Sequence, residues 1–151
     1  MESTAKPHPM YAGSYRHTVD PKNRITVPVR WRRGEVEDFH IFPEQHKRFL
    51  IVAPPEEFRR FGESIQSDPN ISEEDKRKFL RRYYADARDA STDKQGRLVL
   101  PEEHSRKVSL GTDVVLAGSN SRIEIWNAEA WNTALEAEDE AFRKVADRKG
   151  L

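Results

Sequence analysis

The chain has 151 residues, with 26 Lys plus Arg against 26 Asp plus Glu and no cysteine. That length suits one compact domain, and the lack of cysteine excludes disulfides and thiolate metal sites. The even charge singles out no partner by itself, and no apolar run approaches membrane-spanning length.

Residues 1–10, MESTAKPHPM, are polar and proline-containing, without the apolar core of a signal peptide. They read as a flexible tail on a soluble, cytoplasmic protein. Residues 11–19 alternate loosely and are rich in β-formers, so they form a strand entering a hairpin. The turn is Asp20-Pro21-Lys22-Asn23. Asp accepts backbone hydrogens, Pro presets φ, and Asn tolerates the left-handed conformation that ends such loops. Arg24 to Val27 leaves the turn as a strand that Pro28 stops by lacking a donor, and VRWRR follows as a short helix. Two more strands are predicted at 39–42 and 49–52. Pro54-Pro55 then opens a helix that runs to about Ile65.

Ser72 begins the strongest helix signal, with Asp75 three residues on and Glu73 and Glu74 in the first turn. Phe79, Leu80, Tyr83, Tyr84 and Ala87 share one face of it. This helix links two halves and is expected to pack across both.

The second half repeats the first. An offset of 73 residues carries Asp20 onto Asp93, Arg24 onto Arg97 and Pro28 onto Pro101, so D-x-x-x-R-[apolar]-x-[apolar]-P is written twice. Gly96 takes the place of Asn23, and both tolerate positive φ. A helix at 102–107, strands at 114–116 and 123–126, and a long helix capped by Asn127 complete the copy. That last helix is acidic early and basic late, in step with its dipole. The organisation expected is a tail at 1–10, a first repeat at 11–66, a linking helix at 67–88, a second repeat at 89–134 and a helical tail at 135–151. Two such small units form one pseudo-symmetric mixed α+β domain, because neither buries its apolar face alone.

The copies differ in charge. Residues 15–33 hold six basic residues, Arg16, Lys22, Arg24, Arg30, Arg32 and Arg33, against Asp20 alone. Residues 88–106 hold four basic and four acidic. If one copy touches a polyanion, the expectation is the first.

The paired D-x-x-x-R motif, with EIW and a further Trp near the end of the second copy, resembles the MraZ family within the AbrB-like group; the match covers roughly residues 10–142. The family is a bacterial transcriptional regulator encoded at the start of the division and cell-wall gene cluster. The resemblance implies a swapped-hairpin AbrB-like β-barrel formed by the two repeats, with flanking helices. It further implies a closed, octamer-like ring of chains, binding to direct repeats in the promoter of its own operon, and association with the nucleoid. It falls on Asp20, Lys22 and Arg24 in the first motif and on Asp93, Gly96 and Arg97 in the second. The first motif departs from the family pattern at Pro21 and Asn23.

Physically, a two-stranded ribbon fits the major groove of B-DNA, and arginine bridges the O6 and N7 acceptors of guanine. Arg24, oriented by Asp20 across the turn, is the candidate for base or phosphate contact. Lys22, Arg16, His17, Arg30, Arg32 and Arg33 suit phosphate, where they supply affinity without sequence information. Asp20, Asn23, Asp93, Gly96 and Arg97 read as turn-bracing residues. Trp126, Trp131 and Phe142 are candidates for contacts between chains.

An enzyme finds little support: no nucleophile, phosphate loop or second base accompanies the aspartates. No small-molecule substrate, cofactor or metal is expected, since His8, His17, His40, His46 and His104 show no ligand spacing. The rival reading is a ring-forming protein-interaction module or an antitoxin-like relative of the same fold. RNA binding lacks the interleaved aromatics that stack single-stranded bases, apart from Tyr15 and Trp31.

Overall fold

The computed structural model describes residues 10–151. Of the tail expected at 1–10, all but Met10 lies outside the described residues.

In chain order the elements are β1 (Ser14–Thr18), β2 (Arg24–Thr26), a single 3-10 turn (Val29–Trp31), β3 (Asp38–Pro43), β4 (Phe49–Ala53), α1 (Pro55–Gln66) and α2 (Glu73–Asp86). The second copy supplies β5 (Arg88–Ser91), β6 (Arg97–Val99), α3 (Glu102–Lys107), β7 (Asp113–Ser119), β8 (Arg122–Asn127) and α4 (Ala128–Lys149).

The two copies interlock. Six antiparallel strands run in the order β1-β7-β8-β4-β3-β5, and β2 pairs with β6 in a separate two-stranded ribbon. Strand β1 of the first copy therefore lies on β7 of the second, with Tyr15 opposite Leu116, and β5 of the second lies on β3 of the first, with Phe39 opposite Ala90. Each hairpin sends one strand to the large sheet and the other to the ribbon. The large sheet is open: β1 and β5 are its edges and do not pair with each other.

Strand β4, the continuous apolar run FLIVA, is buried along its whole length, as befits a central strand covered on both faces. One face, with Leu50 and Val52, joins the main core with Ile25, Val27, Leu98, Leu100, Leu116 and Ile125. On the other face Phe49, Ile51 and Trp126 meet Ala130, Trp131 and Ala134 of α4. Trp126 stacks on Phe49 at 4.5 Å between centroids. Trp126 and Trp131 thus fasten α4 to the sheet, Trp126 buried and Trp131 partly so, whereas Phe142 is exposed.

Helix α2 packs on α1 rather than across both copies. The aromatic face predicted for it meets Ala53, Phe58 and Phe61, and Tyr83 stacks on Phe58 at 4.5 Å. Its start is as the sequence indicates: the Ser72 side chain accepts the Asp75 N–H at 3.1 Å. Asn127 caps α4 in the same way, accepting the Ala130 N–H at 3.1 Å.

The pseudo-symmetry reaches into the core. Trp31 and His104 stand 73 residues apart and both are fully buried. Trp31 donates from Nε1 to Ala12 O at 3.1 Å, and His104 bonds through Nε2 to Asp86 O at 2.5 Å. Each anchors the segment that enters its own hairpin.

Candidate nucleic-acid interface

The ribbon is held in register by the strand pairs Arg24–Val99, Ile25–Leu98 and Thr26–Arg97. Two further bonds extend it symmetrically, Val27 N–H to Gly96 O at 2.9 Å and Leu100 N–H to Asn23 O at 2.8 Å. The antiparallel pairing puts the two hairpin turns at opposite ends of the ribbon. Strand alternation then sorts its faces. Ile25, Val27, Leu98 and Leu100 point into the core, while Arg24, Thr26, Arg97 and Val99 line the other side, with Val99 57% exposed. Arg24 and Arg97 are diagonal neighbours across the ribbon.

Both turns have one geometry. Asp20 Oδ1 accepts the N–H groups of Lys22 and Arg24 at 2.9 and 2.8 Å, and its Oδ2 accepts from Arg24 Nε at 2.7 Å. Asp93 Oδ1 accepts from Gln95 and Arg97 at 3.0 and 2.9 Å, and its Oδ2 from Arg97 Nε at 2.7 Å. Asn23 and Gly96 close the two loops at φ of 62° and 81°. Asn23 also donates from Nδ2 to Leu100 O at 2.7 Å, a tie to the second copy that a glycine lacks.

The aspartates are held as anions. Slight desolvation pushes Asp20 upward, but the backbone and side-chain bonds from Arg24 and the Lys22 N–H outweigh it and keep its carboxyl below the ordinary 3.8. The backbone bond from Arg97 leads the same effect at Asp93. Each arginine is thereby fixed through Nε, and Arg97 also donates from Nη2 to Gln95 Oε1 at 3.3 Å.

The other basic residues divide. Lys22 is exposed at the first turn, and Arg16 is exposed on the edge strand β1. His17 is engaged inside the first hairpin, where its Nε2 accepts the Thr26 N–H at 3.2 Å and so ties β1 to β2. Arg33 is drawn into an acidic setting, with Glu37 and Glu56 each at 3.5 Å. Arg30 is exposed in the 3-10 turn. Arg32 lies against the second turn: a Cβ built on Gly96 would run into its guanidinium.

This placement bears on the charge asymmetry between the two copies. The chain leaves the ribbon at Val27, beside Gly96, and the next residues carry Arg30 and Arg32. The reciprocal exit, at Leu100 beside Asn23, leads to Glu102 and Glu103. Interlocking therefore brings a first-copy cation, Arg32, to the second turn.

Among the described residues no cluster of His, Asp or Glu is arranged to hold a metal ion, and no helix is long and apolar enough to cross a membrane.

A family model described as "MraZ protein, putative antitoxin-like" matches residues 84–151. The protein named transcriptional regulator MraZ in Carboxydothermus hydrogenoformans is 34% identical over 139 residues, 92% of this chain and 96% of that one. Its namesake in Frankia alni is 33% identical over 138 residues, 91% and 95% of the two chains. That of Heliobacterium modesticaldum is 33% identical over 139 residues, 92% and 96%. Similarity of this extent runs through both hairpins, the ribbon and the helices around them, and the chain belongs to the MraZ family.

Proposed function

We propose that this protein is a DNA-binding regulator of transcription that lays the outer face of its β2–β6 ribbon on duplex DNA. In this reading it recognises direct repeats in the promoter of its own operon, within a division and cell-wall gene cluster, and works in the cytoplasm at the nucleoid. The observation that carries the proposal is the pair of aspartate-braced arginines on one exposed ribbon face. The name borne by its relatives, transcriptional regulator, supports it. The interlocked hairpins support the swapped-hairpin, AbrB-like arrangement.

Arg24, with its Nε occupied by Asp20, offers its terminal nitrogens to a guanine edge or a phosphate. Lys22, Arg16 and Arg30 supply phosphate contacts and salt dependence. One ribbon spans few base pairs, so affinity comes from repetition. Copies of the chain assemble into a closed ring, which makes later contacts on repeated DNA intramolecular and raises avidity by ~100-fold or more. The far part of α4 supports self-association, since Leu135, Phe142 and Val145 form an exposed apolar stripe at helical spacing. The same stripe favours a second reading, a ring that binds a partner protein.

The test is a titration of the purified protein against DNA carrying the repeats upstream of its own gene, with shuffled DNA beside it, at two salt concentrations. Tight, salt-sensitive binding that prefers the repeats is the expected result. Equal binding to both DNAs, or none, contradicts the proposal and brings the partner-protein reading forward.

A further inference from the structure

The face of the large sheet turned away from the ribbon carries a second cationic site. Leu50 and Val52 of β4 share the main core with the ribbon residues Ile25 and Leu98, whereas Ala53 and the β3 residue Phe42 lie on the opposite face and seat the α1–α2 pair. Beside that pair lies a cleft of about 550 Å³, lined chiefly by Lys76, Arg77, Leu80, Arg81 and Tyr84 of α2. Its three cations meet one carboxylate, Glu73, which pairs with Lys76 at 3.2 Å. Elsewhere on α2, Lys78 and Arg82 are matched by Glu74 and Asp86. Arg77 and Arg81 are exposed, stand one helical turn apart and make no ion pair among the described residues. Like charges at this spacing cost the helix stability rather than add to it. Tyr84, half-exposed, continues their stripe and is fixed in place: its ring packs edge-on to Phe58 and Tyr83, and a Cβ on Gly62 would run into its hydroxyl.

We propose that this cleft docks an acidic segment of a partner protein, with Arg77 and Arg81 each holding a carboxylate and Leu80 and Tyr84 receiving an apolar side chain beside them. Charge complementarity sets the chemistry of the occupant: the planar guanidinium fork matches a carboxylate, and the helix presents two such forks about 6 Å apart along its axis. The cleft is open along α2 rather than enclosed, which suits a length of chain better than a small molecule. Nucleic acid is the less fitting polyanion, because DNA laid on the ribbon lies across the sheet from the cleft. The site is therefore independent of the DNA-binding reading and gives the protein a separate face, open to a partner while the ribbon is occupied.

The experiment titrates the full chain, by fluorescence anisotropy, against a short labelled peptide of glutamates around one tryptophan, with its glutamine counterpart as control. Wild type is expected to bind the glutamate peptide and not the glutamine one, and to keep it in the presence of saturating duplex DNA. Arg77→Gln and Arg81→Gln are each expected to weaken that binding about five- to ten-fold, the loss of one charge-assisted contact. Both keep the wild-type melting temperature, since both side chains are exposed. Equal affinity for the two peptides, displacement by DNA, or wild-type affinity in either variant overturns the proposal. Sedimentation separates a foreign segment from a second copy of this chain, whose α4 is itself acidic at Glu136, Glu138, Asp139 and Glu140. An assembly of unchanged size in both variants supports the partner protein, and smaller species in either overturn it in favour of a second copy.

Discussion

At Asp20 and Asp93 one carboxylate does three things at once. It stops the loop by accepting two backbone N–H groups, orients the following arginine through Nε, and stays ionised because those bonds favour the anion. Both carboxyls titrate below their ordinary 3.8. For a group depressed in the folded state, the stabilisation is present above the ordinary value and is lost as pH falls through the folded one. Asp20→Asn is therefore expected to melt at a lower temperature than wild type at neutral pH, with the gap closing as pH drops below 3.8. A gap independent of pH shows that the anion is not what braces the turn. This part of the site was legible in the sequence, since the brace is local: Asp, the turn and Arg lie within five residues, and the motif occurs twice. Arg32 on Gly96 was not legible, because the two residues are 64 apart and meet only through the interlocking of the copies. Nor was the capture of Arg33 by Glu37 and Glu56, or of His17 by the Thr26 N–H, since counting charges does not reveal which are already engaged.

Elements were readable where period and caps agreed. Strands β3, β4, β7 and β8 and helices α1, α2, α3 and α4 stand where alternation, Pro54-Pro55, Ser72 and Asn127 put them. Their partners were harder to read. The aromatic face of α2 fits the core of either copy by composition, and the nearby Phe58 and Phe61 of α1 take it. For α4 the first turns are committed to Phe49, Ile51 and Trp126, and the rest extends beyond the sheet. Its stripe is spaced for a partner helix or groove, and Phe142, 63% exposed, is the most accessible of its large apolar residues. Phe142→Asp is expected to shift the protein from assembly to single chains in sedimentation, with the fold's stability within about 0.5 kcal/mol of wild type, as for an exposed position. An assembly of unchanged size takes this stripe out of the ring interface.

For the whole molecule, duplication with exchange is the organising fact. Each copy gives one strand to the other's sheet edge and one to a shared ribbon, so neither half has a complete core, and the ribbon belongs to both. Exchange also moves charge: Arg32, which follows the first proline, lies at the second turn. The repeat itself was visible at the offset of 73, but the pairing of β1 with β7 and of β5 with β3 has no signature in either copy alone. The measurement that bears most directly on the DNA-binding account is the affinity of Arg24→Ala for duplex DNA carrying the upstream repeats, against wild type, with melting of both proteins as the control. The account predicts an unaltered fold, loss of preference for the repeats and a binding deficit of about 1–3 kcal/mol per braced contact. A folded Arg24→Ala protein that binds the repeats as tightly and as selectively as wild type contradicts it.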